Sequence, residues 1–307
     1  MTEETKPSAF GVVALTGRPN AGKSTLLNRV LGHKVSIVSD KPQTTRNRII
    51  GVLNEERGQI AFLDTPGVHK PLHRLNVRMM DHVRSALSEA DVIALIVDAS
   101  SEFGKGDQFV IEMLQNEKRH NPDAKWFVLL NKIDLVKKHL LLPLMERYHA
   151  FGLFDEIIPI SASTGDGVDA LTALLFRTVH PGNARYPTED YTTQPERFFA
   201  AEIIREKLLH HTTEELPYTT AVHVDRFEED EATNFLRIWA TIYVERDSQK
   251  GIVLGKQGSM IKRIGTEARR ELETILGAKI HLDLHVSVQQ DWRDDTRFLG
   301  ELDRPLD

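Results

Sequence analysis

Gly17-Arg-Pro-Asn-Ala-Gly22-Lys23-Ser24 is the stretch on which the reading of this chain turns. Its spacing is G-x-x-x-x-G-K-[ST], in which glycines let backbone N–H groups turn inward around a phosphate and a following helix adds the positive end of its dipole. The flanks agree with that reading. The apolar, β-rich run 10–15 comes before it, and 22–31 has helical spacing after it. Gly17, Arg18, Pro19, Asn20, Ala21, Gly22, Lys23, Ser24 and Thr25 are therefore candidate phosphate-binding residues. Lys23 is placed to reach terminal phosphates and the Ser24 hydroxyl to ligate Mg²⁺.

Outward from this loop, short β-rich runs alternate with helical ones: strands at 10–15, 49–53, 59–63, 92–97, 126–130 and 157–160, and helices at 22–31, 75–89, 106–117, 143–150 and 168–179. Such alternation predicts a mainly parallel sheet covered by helices on both faces. Only Asn54-Glu-Glu-Arg-Gly58 separates the second and third strands, too short for a crossover, so these two are expected to form an antiparallel hairpin. Residues 1–180 are read as the first domain. From 181 to 195 the chain is rich in Pro, Asn, Tyr and Thr without periodicity, which predicts a linker or a strapped connection. Residues 196–291 then read as α-β-β-α-α-β: a helix at 196–211, a hairpin of 221–227 and 236–244, helices at 259–264 and 266–276 broken by Gly265, and a strand at 280–288. Residues 292–307 are expected to form a surface tail.

The 307 residues are 40% hydrophobic and 27% charged, which excludes a disordered chain or a coiled coil. With no cysteine, a disulfide scaffold and thiolate metal sites are excluded, and a reducing compartment suits the chain. No run is long enough to cross a membrane, and the polar, acidic first ten residues do not read as a signal peptide. The net charge of −6 argues against a nucleic-acid partner only if charge is taken as an average. Between 246 and 270 seven cations (Arg246, Lys250, Lys256, Lys262, Arg263, Arg269, Arg270) face Asp247 and Glu267. This +5 stretch leaves −11 for everything else.

Three further strings fall at expected C-terminal strand ends, where ligands of such sheets bind. Asp64-Thr65-Pro66-Gly67 offers a carboxylate for Mg²⁺ and a glycine N–H for a γ-phosphate; Val68 follows it. Asn131-Lys132-Ile133-Asp134 places the Asp134 carboxylate to accept from guanine N1 and N2, a donor pair adenine lacks. Ser161-Ala162 follows, with the Ala162 N–H available to guanine O6. Within the +5 stretch, Gly255-Lys256-Gln257-Gly258 precedes a helix start, and two glycines there allow close approach to the phosphates of a single-stranded nucleic acid.

As a set, the first-half strings resemble the translation-factor-related GTPases, and Gln43-Thr44-Thr45-Arg46 matches their first switch. There a threonine ligates Mg²⁺ when the γ-phosphate is present; Thr45 is favoured and Thr44 is the alternative. The second half resembles a type II KH domain. Together they resemble the Era family of bacterial GTPases over essentially the full length. The resemblance implies an α/β P-loop GTPase domain, its mainly parallel sheet carrying one antiparallel hairpin strand, followed by an α+β type II KH domain. It implies GTP hydrolysis with Mg²⁺ held by Ser24, Thr45 and Asp64, and catalytic roles for Lys23, Thr45, Gly67 and Asn20. Gly255, Lys256, Gln257, Gly258, Lys262 and Arg263 are the implied RNA contacts. The implied partners are 16S ribosomal RNA near its 3′ end and the maturing small ribosomal subunit. A cytoplasmic monomer is expected, with peripheral attachment to the inner face of the cell membrane. One departure bears on mechanism: Val68 stands where Ras-like enzymes have a glutamine that orients water. In several relatives an asparagine matching Asn20 holds K⁺, which implies K⁺-assisted, intrinsically slow turnover. Residues 69–74 are the segment expected to move with the nucleotide, biasing how the two domains dock.

Overall fold

The computed structural model describes residues 8–230 and 232–302. The chain divides into two compact units, one of the described residues up to Pro71 together with Arg78–Thr193, the other of Leu72–Val77 together with the described residues from Gln194 onward. In chain order the first half runs β1 (Ala9–Thr16), α1 (Lys23–Leu31), β2 (Ile49–Glu55), β3 (Gly58–Asp64), α2 (Arg74–Glu89), β4 (Val92–Asp98), α3 (Lys105–Glu117), β5 (Lys125–Asn131), α4 (Leu141–His149), β6 (Glu156–Pro159), α5 (Val168–Thr178) and β7 (His180–Pro181).

The first sheet has the order β2-β3-β1-β4-β5-β6, with β7 paired to β1. β1, β3, β4, β5 and β6 are parallel, and β2 joins β3 as the expected antiparallel hairpin. Strand β4 shows why: Val92-Ile-Ala-Leu-Ile-Val97 is buried at every position, as a central strand covered on both faces must be. Trp126, Phe62 and Phe127 fill the space between sheet and helices with almost no exposure. The parallel strands therefore present the ends of β1, β3, β5 and β6 on the same side, and the strings at 17–24, 64–67, 131–134 and 161–162 each sit at or just beyond one of those ends; 43–46 lies instead between α1 and β2.

The stretch 181–193 is a strap fastened to the first unit. The Val52 N–H donates to the Tyr191 carbonyl (2.9 Å), and Thr192 Oγ1 donates to the Ile50 carbonyl (2.7 Å). The buried Gln59 side chain accepts from the Arg185 and Tyr186 N–H groups (2.8 and 3.0 Å) and donates to the Tyr186 carbonyl (2.8 Å). These bonds satisfy an outer strand pair that would otherwise expose its backbone.

The second half comprises α6 (Glu196–His211), α7 (Leu216–Thr219), β8 (Ala221–Asp230), β9 (Phe235–Val244), α8 (Asp247–Leu254), α9 (Ser259–Leu276), β10 (Lys279–Val288) and α10 (Thr296–Leu302). Its sheet is β10-β9-β8, with β9 parallel to β10 and antiparallel to β8. The α-β-β-α-α-β order is present, but two expectations are corrected. The helix pair does not lie entirely after the glycine loop: α8 precedes it, and α9 runs unbroken through Gly265. A Cβ at Gly265 would sit 3.2 Å from Leu284 Cδ1, so the glycine permits close helix–strand packing, at a propensity cost of only about 1 kcal/mol. Helix α8 starts with the Gln249 side chain accepting the Glu245 and Arg246 N–H groups (2.9 and 3.2 Å), a cap that needs no apolar periodicity.

The surface-tail expectation is also overturned for residues 292–302. Trp292 is fully buried, its indole N–H donating to the Thr219 carbonyl (2.9 Å). Phe298 packs edge-on against Tyr243, with ring centroids 4.9 Å apart, and Arg293 grips Glu245 through two bonds of 2.7 and 2.8 Å. A charge count gave three arginines and five acids equal weight with one tryptophan, whose burial outweighs them. The last five residues of that expected tail lie outside the described residues.

Candidate functional site

The loop after β1 closes over the sheet because Gly17 has φ 144° and its Cα faces the Ile96 carbonyl oxygen, where a Cβ would come within 2.3 Å. Its own carbonyl accepts the Val68 N–H (2.9 Å), tying this loop to the one leaving β3. The Lys23 ammonium folds back beneath the loop and donates to the Gly17 and Arg18 carbonyls (3.3 and 3.0 Å). Burial pulls its pKa down to about 8, against the opposing attraction of Asp64. A buried ammonium resting on two carbonyls is held ready for an anion.

A cavity of about 400 Å³ opens here, lined by Pro19, Asn20, Gly22, Lys23, Ser24 and Thr25 on one side and Thr44, Thr45, Gly67 and Lys132 on others. At its wall, Ser24 and Thr45 meet the buried Asp64 behind them, so that three oxygens converge. Ser24 Oγ donates to Asp64 Oδ2 (2.6 Å) and lies 2.9 Å from Thr45 Oγ1. Thr44 points elsewhere, its hydroxyl donating to the Lys41 carbonyl (2.6 Å). The sequence could not separate the two threonines; the geometry groups Thr45 with Ser24 and Asp64. Asp64 is fully buried, and burial raises its pKa while the Lys23 charge and the Ser24 and Ser36 hydroxyls act in the other direction. Its Oδ1 is buried without a hydrogen-bond partner. A buried carboxylate whose Oδ2 meets the Ser24 hydroxyl, with Thr45 Oγ1 next to that hydroxyl, is a hard-oxygen set that fits Mg²⁺. Among the described residues no group of three or more His, Asp or Glu side chains is placed to hold a metal ion, so a divalent ion here would draw much of its shell from phosphates and water.

The remaining strings lock the rim. Asn131 Nδ2 donates to the Ala21 carbonyl (2.8 Å), joining the loops after β1 and β5. Asp134 Oδ1 accepts from Ser161 Oγ (2.6 Å), joining those after β5 and β6. Lys132 has φ 65° and donates to Asp98 Oδ2 (2.6 Å). Hydrogen bonds from Lys132 and Ser100 hold the Asp98 carboxyl below its ordinary pKa, outweighing the rise that burial alone would give. The Ala162 N–H, expected to be available to a base, donates to Asn131 Oδ1 (2.9 Å). Thr65 and Pro66 are buried; Thr65 Oγ1 donates to the Leu15 carbonyl (2.7 Å). Val68 is 2% exposed and packs with Leu63, Met80 and Val83, so its side chain belongs to the core and not to the cavity.

Sequence reasoning missed four residues of this site: Ser36, which donates to Asp64 Oδ2 (2.9 Å); Asp107, which pairs with Arg18 (2.8 Å); Asp98; and Arg29, which donates to the Ala162 carbonyl (3.2 Å). None lies in a recognisable string, and each partner is distant along the chain. Asn20 has φ 61° and donates through Nδ2 to the Asp40 carbonyl (2.6 Å).

The second glycine loop joins α8 to α9. Gly255 and Gly258 have φ of 69° and 74°, and Gln257 between them has φ 50°. A Cβ at Gly255 would lie 2.8 Å from the Met260 backbone N, whereas one at Gly258 meets only Ile261 Cγ2 at 4.0 Å. Lys256, Gln257, Lys262 and Arg263 are exposed around it.

Residues 12–132 match the family described as 50S ribosome-binding GTPase, and residues 215–293 match the KH domain family. At 39% identity the chain is similar to Era in complex with MgGDPNP and nucleotides 1506–1542 of 16S ribosomal RNA, covering 96% of this chain and 99% of that one, with a TM-score of 0.91. The chain belongs to the Era family. An Aquifex aeolicus Era variant bound to GDP·AlF₄⁻ is similar at the same identity and coverage, with a TM-score of 0.90. This Era-family chain is thus a GTPase whose second half carries a KH domain. Among its described residues no helix is long and apolar enough to cross a membrane.

Proposed function

We propose that the chain binds GTP in the cavity above β1, β3, β5 and β6 and hydrolyses it slowly, and that its KH half binds single-stranded 16S ribosomal RNA near the 3′ end during small-subunit maturation. The observation that carries this reading is the full-length similarity to Era bound to both MgGDPNP and that RNA segment. The 50S in the other family's description belongs to a match of residues 12–132 alone, so it has less weight for the partner than a relative covering both halves.

In this reading Lys23 and the N–H groups of the loop 17–24 bind the β- and γ-phosphates, the Gly67 N–H meets the γ-phosphate, and Asp134 selects guanine. Ser24, Thr45 and Asp64 would hold Mg²⁺, which when bound supplies charge neutralisation for the phosphates. Val68, at the position of the water-orienting glutamine, is turned into the core and cannot hydrogen-bond to water. Slow turnover follows.

Asn20 is the residue that would hold K⁺ beside the phosphates, since it already bridges the phosphate loop to the backbone at Asp40. GTP hydrolysis measured in KCl and in NaCl at equal ionic strength is expected to be about tenfold or more faster in KCl. Asn20→Ala should remove the difference. Equal rates in the two salts, or an unchanged K⁺ response in Asn20→Ala, would remove K⁺ from the mechanism.

A further inference from the structure

Ser36 lies outside every recognisable string, in the loop between α1 and β2, yet it is among the most enclosed polar residues of the site. Val35, Ser36 and Ile37 are 2%, 1% and 0% exposed. A hydroxyl in the middle of such a run is costly unless it is hydrogen-bonded. It donates to Asp64 Oδ2 at 2.9 Å. The residue's backbone is pinned in turn by Asn28 of α1, whose Oδ1 accepts the Val35 and Ser36 N–H groups (2.9 and 3.0 Å) and whose Nδ2 donates to the Ser36 carbonyl (2.7 Å). Ser36 is therefore a fixed donor, anchored on the helix that begins at Lys23.

Both side-chain hydrogen bonds to the Asp64 carboxylate end on Oδ2, from Ser24 and Ser36, and Oδ1 has no hydrogen-bond partner. Ser24 is itself a candidate ligand of the ion. Ser36 is not, so its hold on the carboxylate does not compete with coordination. We infer that Ser36 is a positioning residue for the magnesium site, holding the Asp64 carboxylate by Oδ2 in its place beside the Ser24 and Thr45 hydroxyls. The inference rests on the proposed Mg²⁺ role of Asp64. Partners that orient a ligating carboxylate typically contribute 10- to 100-fold in metal affinity.

The test follows release of a fluorescent GDP analogue from the full chain while free Mg²⁺ is set with EDTA. Ser36→Ala is expected to raise the half-saturating Mg²⁺ concentration about tenfold or more, with release in EDTA alone unchanged from the unsubstituted protein. In an Asp64→Ala background the same substitution should add no further shift, because both act through one carboxylate. An unchanged half-saturating Mg²⁺ concentration in Ser36→Ala overturns the inference. So does equally faster release with and without Mg²⁺, which marks a general loosening, or a fully additive shift in the double variant. If the unsubstituted protein released GDP equally fast in Mg²⁺ and EDTA, the proposed magnesium site itself would fail.

Discussion

Asp134→Asn is expected to lower GTP affinity about a thousandfold or more and to create affinity for XTP. Asp134 follows the left-handed Lys132 at the end of β5, and Ser161 Oγ fixes its Oδ1 at 2.6 Å. An ionised carboxylate only accepts hydrogen bonds, and guanine presents two donors, N1–H and the N2 amino group. The amide of Asn sets its own NH₂ against those donors, so the loss includes an unpaired group on each side and not only a missing bond. Xanthine carries a carbonyl where guanine has the amino group, and the amide can pair with it. A thousandfold corresponds to about 4 kcal/mol. Titrations of both proteins with GTP, XTP and ATP check this. A variant that keeps its GTP affinity would remove Asp134 from base recognition, and a parent that prefers ATP would contradict the guanine assignment altogether.

Gly258→Asp is expected to weaken binding of a 3′-terminal 16S fragment at least tenfold while leaving GTP affinity unchanged. At φ 74° and ψ 15°, Gly258 adopts the left-handed conformation that Asp and Asn tolerate best among residues with a Cβ, and a Cβ there meets nothing closer than 4.0 Å. Gly255 is a poorer choice because its added Cβ would press on the Met260 backbone at 2.8 Å. The effect of Gly258→Asp should therefore be electrostatic: a carboxylate enters a loop ringed by Lys256, Lys262 and Arg263, where the proposed ligand brings phosphates. Gly258→Asn makes nearly the same backbone demand without the charge and should lose less. Filter binding at two salt concentrations measures both. Equal losses in the Asp and Asn variants would mean that loop shape, not charge, is decisive; no loss in either would place the RNA elsewhere.

What the sequence made legible followed local chemistry. The phosphate loop was readable because its glycines, lysine and serine lie within eight residues and each has a backbone-scale reason to be there. Strand β4 was readable because a short apolar run rich in β-branched side chains suits a strand covered on both faces and is too short for a buried helix. Helix α8 was not, since it begins on a side-chain cap from Gln249 and its apolar face is short. Gly265 disfavours helix locally, which breaks α9 in a sequence reading, while its packing on Leu284 is a tertiary fact. A charge count places Trp292 in a tail because charge is additive along a sequence and burial is not. Within the site, the Thr44/Thr45 ambiguity and the role of Ser36 both depended on Asp64, which β3 brings close from 19 to 28 residues further along the chain. Spacing alone could not reveal them.

Guanine nucleotide and RNA are expected to bind to different halves of this one chain, the nucleotide above the first sheet and the RNA at the glycine loop 255–258. Cross-linking of the full chain to a 3′-terminal 16S fragment, with GDPNP and Mg²⁺ present, tests it most directly. The predicted result is cross-links concentrated on residues 255–263, exceeding those to an RNA of the same length and scrambled sequence. Cross-links confined to residues 8–193, or equal labelling by the scrambled RNA, would contradict it.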